Sequence, residues 1–166
     1  MTLSIRWLDH TAIAVWRIED GLPLYRDLIG GDPQELTRRP DLGFQTLTLR
    51  YPGQGGIELI APLGESGFVQ EFLARRGEGV HHLTFMVADL AASVAEARAA
   101  GLRVVGEDYH DPAWQEAFIS PRSAHGTIIQ LAQSNLDLAA RRDHWPPHAY
   151  RADRAGTSCP PTSHEP

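Results

Sequence analysis

The chain has 166 residues, 21 Asp and Glu against 15 Lys and Arg, a net charge of -6 with histidine neutral, and 42% hydrophobic residues, which suits one compact domain or two small modules sharing a core. The acidic balance excludes a protein that wraps nucleic acid, since phosphate binding needs a basic face, and no apolar run approaches the ~20 residues of a membrane span. A lone cysteine, Cys159, excludes an internal disulfide and a multi-cysteine zinc site. The start, Met1 to Arg6, lacks the charged and apolar regions of a secretory leader, so a cytoplasmic location is expected.

In chain order, residues 5–15 read as a strand. A helix over 19–29 follows, with Leu24 and Leu28 four apart and a stop at Gly30-Gly31. Strands are predicted at 34–38, 43–51 and 56–61, the last two separated by the turn-forming Tyr51-Pro52-Gly53-Gln54-Gly55. Phe68/Phe72 and Val69/Leu73 mark a short connecting helix. A strand over 80–87 leads to a helix over 89–100, capped by Asp89, carrying Leu90, Val94 and Ala97 inward, and ended by Gly101. Strands at 102–106, 114–120 and 126–132 complete the pattern. This divides the chain into a first module (1–64), a connecting helix (65–78), a second module (79–133) and a C-terminal extension (134–166). The extension is too polar and proline-rich to offset its ordering entropy, so it is expected to be disordered from about residue 150, with His148 and His164 solvated.

The two modules repeat one another. Leu8-Asp9-His10-Thr11-Ala12-Ile13-Ala14-Val15 matches Val80-His81-His82-Leu83-Thr84-Phe85-Met86-Val87, with His10 and His82 72 residues apart. Gly56-Ile57-Glu58-Leu59-Ile60 matches Ile128-Ile129-Gln130-Leu131-Ala132, and Glu58 and Gln130 are again 72 apart. A single histidine in an apolar strand is ordinarily structural, and Glu58 alone would be read as facing water, because burying it is costly. Four polar residues placed equivalently by a duplicated unit converge instead on its pseudo-twofold axis. One divalent cation there accounts for all four, with zinc, cobalt, nickel, manganese and iron all suited to imidazole and carboxylate.

These residues resemble the vicinal oxygen chelate superfamily, and within it the methylmalonyl-CoA epimerases. The likeness runs from about Leu8 to Gln133. It rests on the opening strand, on Leu24-Tyr25-Arg26-Asp27 and on Ile57-Glu58-Leu59-Ile60-Ala61-Pro62-Leu63-Gly64. Phe72-Leu73-Ala74-Arg75-Arg76-Gly77-Glu78-Gly79-Val80-His81-His82-Leu83 and Phe118-Ile119-Ser120-Pro121-Arg122-Ser123 extend it. The resemblance implies an α+β fold of two βαβββ modules forming a curved, cup-like sheet around a metal site. It implies the ligands His10, Glu58, His82 and Gln130, a small-molecule substrate and a homodimer. His82 aligns with His10, and His81 is assigned to the opposite face of its strand.

The sequence departs from the epimerase pattern at the proton-transfer positions. The family usually has Gln or Glu at the place of Glu58 and Glu at that of Gln130, and its other catalytic Glu is replaced by Thr46. An amide accepts no proton near neutral pH, so the expected substrate is a hydroxy-ketone or an acyl-CoA other than methylmalonyl-CoA. Thr46 and its repeat partner Phe118 are expected to line the cavity. Glu116, two residues before Phe118, shares that face and is the candidate base. Glu58 is a second proton carrier. Tyr109 and His110, in the loop from Glu107 to Pro112, are further acid/base candidates, and Arg122 matches a basic position near the acyl-CoA entrance of the epimerases. The leading expectation is a divalent-metal-dependent epimerase or isomerase working through an enolate. A metal-dependent lyase or non-haem iron dioxygenase, and a metal-free drug-binding protein, are the alternatives on the same scaffold.

Overall fold

The computed structural model describes residues 2–52 and 55–136; the expectations for the C-terminal tail, His148 and His164 included, lie outside them. One eight-stranded sheet runs through the molecule in the order β2-β3-β4-β1-β5-β8-β7-β6. Its strands are β1 (Ile5–Ala14), β2 (Asp32–Arg39), β3 (Phe44–Arg50), β4 (Gly56–Pro62), β5 (Gly79–Val87), β6 (Val104–Asp108), β7 (Gln115–Ile119) and β8 (Ile128–Gln133). The sheet is curved and cup-like, and the order reads the same outward from its centre. β1 pairs in parallel with β4 and β5 in parallel with β8, and the two halves join through the antiparallel pair β1–β5.

Three helices flank the sheet: α1 (Ile18–Leu22, continued by wider turns to Leu28), α2 (Phe68–Arg76) and α3 (Leu90–Ala99). On one face, Val15, Ile18 and Leu22 bury Leu47, Leu49, Leu59 and Ala61, while Leu90, Val94 and Ala97 bury Ala117, Ile119 and Leu131. Leu59 and Ala61 alternate with Glu58 and Ile60, so the opposite face of β4 carries the carboxylate. There Ala12, Ala14 and Ile60 pack against Val69 and Leu73 of α2. α2 therefore closes one end of the inner face, beyond the histidines. Asp89 caps α3 through Ala92 N–H, at 2.9 Å, as its side chain predicts.

Two of the differences from the sequence expectation have a local cause in the backbone hydrogen bonds. The single helix over 19–29 is α-helical only to Leu22, and Pro23–Leu28 follows in π-type turns. Pro23 has no N–H to give the preceding turn, and the chain re-registers so that Ile29 N–H reaches Leu24 O five residues back, at 2.9 Å. The sixth strand spans Val104–Asp108 rather than 102–106, because Leu102 N–H is used to close α3 on Ala97 O at 3.0 Å. Among the described residues no helix is long and apolar enough to cross a membrane.

Candidate metal centre

Strand register assembles the site. Glu58 of β4 lies opposite Ala12 of β1, which lies opposite His82 of β5. In the neighbouring row His10 of β1 lies opposite Thr84 of β5, Thr84 opposite Gln130 of β8, and Gln130 opposite Phe118 of β7. The rows Glu58-Ala12-His82 and Gln130-Thr84-His10 are the two copies of the repeat, so the four polar positions converge across the β1–β5 seam.

His10, Glu58 and His82 each present one ligand atom, all within 4.8 Å of one another. Glu58 Oε1 is 3.9 Å from His10 Nε2 and 4.0 Å from His82 Nε2. These separations are too long for hydrogen bonds, and side-chain rotations of a few tenths of an ångström would close them around an ion with bonds of about 2.0–2.2 Å. Burial pushes the Glu58 carboxyl above the usual carboxylate range, against the attraction of His10 and a hydrogen bond with Thr46 and with the help of repulsion from Glu116. Burial likewise holds the His82 imidazole well below its ordinary range, with repulsion from His10 and His81 adding to the effect. A buried carboxylate facing a ring nitrogen kept unprotonated is a donor set that fits a divalent cation.

Of the residues behind the histidines, Asp9 was not singled out from sequence. Asp9 is 1% exposed and its carboxylate accepts from His10 Nδ1 at 2.9 Å, from Trp7 Nε1 at 3.1 Å and from Arg50 at 3.0 Å. Burial opposes its ionisation, but the His10 hydrogen bond and the Arg50 charge outweigh it and hold the carboxyl well below the usual range. His81 corrects the expectation of an opposite face. Its ring packs among Phe68 and Phe72 of α2, on the inner face, and its Nδ1 lies 2.8 Å from His82 Nδ1. Burial pushes its imidazole down to about 4.

Gln130 is brought to the cluster with both ends of its amide engaged. Its Oε1 accepts from Thr84 Oγ1 at 2.5 Å, and its Nε2 donates to Glu116 Oε2 at 2.6 Å. Thr84 Oγ1 is also 2.9 Å from His10 Nε2. Trp114 Nε1 donates to the same Glu116 oxygen at 2.9 Å. Both bonds fall on Oε2, which fixes the carboxylate at the site edge. Thr46 reaches Glu58, and the Phe118 ring stands edge-on to His82 at 6.4 Å. The structure does not bring Tyr109 or His110 into this group. The Tyr109 hydroxyl donates to Glu107, and His110 is 97% exposed and held by Asp108. Those acidic neighbours, two residues before each, hold both side chains on the loop. Arg122 is exposed in the turn after β7, with its backbone N–H on Ser120 Oγ.

The chain is similar to known proteins over most of its described residues. The model of the glyoxalase/bleomycin resistance protein/dioxygenase superfamily matches residues 9–118. The chain is 30% identical over 133 residues to an ethylmalonyl-CoA/methylmalonyl-CoA epimerase of Cereibacter sphaeroides, covering 76% of this chain and 96% of that one. Its fold is similar to the crystal structure of a methylmalonyl-CoA epimerase from Mycobacterium tuberculosis (TM-score 0.74, 32% identity, 84% of this chain and 95% of the other). It is also similar to a Streptomyces coelicolor methylmalonyl-CoA epimerase in complex with 2-nitronate-propionyl-CoA (TM-score 0.72, 27% identity, 80% and 96%).

Proposed function

Because the chain belongs to the glyoxalase/bleomycin resistance protein/dioxygenase superfamily, we propose that it is a divalent-metal-dependent epimerase or isomerase. Its substrate would carry an acidic C–H beside a carbonyl: an acyl-CoA, or a hydroxy-ketone of similar chemistry. The observation that carries this reading is the convergence of His10, Glu58 and His82 within 4.8 Å, with Glu116 held beside them through Gln130. The relatives named above support the reaction type and the acyl-CoA class.

His10, Glu58 and His82 would hold the ion, with Gln130 as a fourth ligand once its amide oxygen turns from Thr84. When bound, the ion supplies Lewis acidity toward a carbonyl oxygen. The protein's own part is proton movement. Glu116, oriented by Trp114 and Gln130, removes the proton from the carbon next to the carbonyl. Glu58 returns a proton from the other side, inverting the centre. Thr46 and Phe118 line the space for the reacting carbon, and Arg122 receives a distal anionic group such as a CoA phosphate. The absence of a carboxylate at Thr46 and at Gln130 moves both proton carriers relative to the epimerase pattern, which favours a substrate other than methylmalonyl-CoA. The test is solvent deuterium incorporation into a panel of acyl-CoAs and hydroxy-ketones by metal-loaded protein. Incorporation at the carbon beside the carbonyl is expected, and none across the panel rejects the reading.

One observation favours a second reading. With Gln130 bonded to Thr84 and Glu116, the remaining donors are two histidines and one carboxylate, a set used for iron-dependent oxygen chemistry with open positions. Oxygen uptake that requires iron would select it.

A further inference from the structure

The β1–β5 seam slips register at three places, two of which the repeat makes equivalent. Between the pairs Leu8/Phe85 and His10/Thr84 one extra residue, Asp9, stands on β1. Between Ala12/His82 and Ile13/Val80 the extra residue, His81, stands on β5. Asp9 and His81 are 72 apart, so each module carries a β-bulge immediately before its histidine. A bulge breaks the up-down alternation of the strand. The extra side chain can then meet its neighbour, and both do so at Nδ1: Asp9 Oδ2 at 2.9 Å from His10, His81 Nδ1 at 2.8 Å from His82.

We infer that Asp9 and His81 are a matched pair of positioning residues that fix the tautomer of His10 and His82, each by accepting the Nδ1 proton and so turning an unprotonated Nε2 to the ion. This rests on the reading of the two histidines as ligands. An imidazole that ligates through Nε2 carries its proton on Nδ1. A carboxylate can only accept that proton, which puts a proton on His10 Nδ1. At His82 the two facing Nδ1 atoms share one hydrogen. With it on His82, His81 accepts and carries its own proton on Nε2. The two supports are unequal. Asp9 is an anion anchored by Arg50 and Trp7, whereas His81 is neutral and seated among the rings of Phe68 and Phe72.

The test labels histidine with 15N in the metal-free protein, reads each tautomer by long-range proton–nitrogen correlation, and measures affinity by Co2+ titration. Wild type is expected to show His82 protonated at Nδ1. His81→Leu should mix the His82 tautomers and weaken Co2+ binding by roughly 10–100-fold. His81→Asn, whose amide oxygen can accept at the same place, should restore the tautomer and most of the affinity. Asp9→Asn, a second variant that keeps an acceptor, should keep the His10 tautomer but lose about tenfold in affinity with the charge. An unchanged His82 tautomer in His81→Leu, or no rescue by asparagine, overturns the inference. No Co2+ uptake by wild type, with the tautomer change still present in His81→Leu, overturns the ligand reading and leaves the positioning role intact.

Discussion

At the scale of single residues, the difference between the two copies of the repeat is where the chemistry is set. Position 12 is Ala and its partner at position 84 is Thr. The Thr84 hydroxyl contacts His10 Nε2 and Gln130 Oε1, two atoms proposed as ligands. It therefore competes with an ion for both. Thr84→Ala removes that competition, and Co2+ affinity is expected to rise roughly fivefold, the equivalent of one hydrogen bond of about 1 kcal/mol. A fall in affinity would show that the hydroxyl supports the ligands instead. Glu116 lies at the other end of the Gln130 amide. Glu116→Gln keeps the shape and removes the proton acceptor, so deuterium incorporation should fall by about 10²–10⁴-fold with Co2+ affinity nearly unchanged. Retained incorporation would assign the base elsewhere.

At the scale of elements, hydrophobic alternation made most strands legible, and both longer helices were legible because each buries one face and is bounded by Gly or Asp. The 72-residue offset made His10, Glu58, His82 and Gln130 legible for the same reason: a repeat carries positions as well as patterns. What escaped depends on register. A bulge has no compositional mark, so Asp9 and His81 read as ordinary alternating residues, and the contacts they make were invisible. The π-type turns after Pro23 escaped because a proline marks only that the regular helix is interrupted, and tertiary packing decides how the next turn closes. That packing can be tested at Gly31, which leads into β2. A Cβ there would stand 2.6 Å from Tyr25 O and 2.8 Å from the Tyr51 hydroxyl, and Tyr51 donates to Tyr25 O at 2.8 Å. The obstacle is backbone, so the neighbours must move. Gly31→Ala is expected to destabilise by about 1–3 kcal/mol in urea unfolding, while Gly30→Ala meets no crowding and is opposed by its φ of +84° alone. Equal stability of wild type and Gly31→Ala would mean that the turn relaxes without cost.

At the scale of the whole molecule, buried titratable groups make stability depend on pH. His81 has its folded value pushed from 6.5 to about 4 by burial. The unfolded chain therefore binds a proton between those limits that the fold does not, and stability falls as pH falls from about 6.5 to 4, by on the order of 3 kcal/mol from this group. His82 acts in the same direction. Glu58, raised by burial, acts oppositely: its contribution is lost as pH rises above the usual carboxylate range. Asp9 stabilises throughout this window, since its contribution disappears only at more acidic pH. The comparison that isolates His81 is the slope of unfolding free energy against pH for chelator-treated wild type and His81→Asn. The variant should be flatter between pH 6.5 and 4, and parallel slopes would remove His81 as the cause.

An ion bound at the β1–β5 seam would be coupled to the fold. His10 lies on β1, Glu58 on β4 and His82 on β5, so an ion bound by all three ties the first half of the sheet to the second across β1–β5. Any ion that binds the folded chain and not the unfolded one adds RT ln(1 + [L]/Kd), about 2.7 kcal/mol at a hundredfold excess over Kd. For a chain of this size that is roughly 5–10 °C in Tm. Adding Co2+ or Zn2+ to chelated protein should raise Tm by that amount in one cooperative step, because both halves share the ligands. His82→Ala removes the only one of the three contributed by β5. It should lose most of the shift while its metal-free Tm changes less than the shift itself. An equal rise in His82→Ala would place the ion somewhere other than the seam, and a rise confined to part of a two-step transition would mean that it stabilises one half alone.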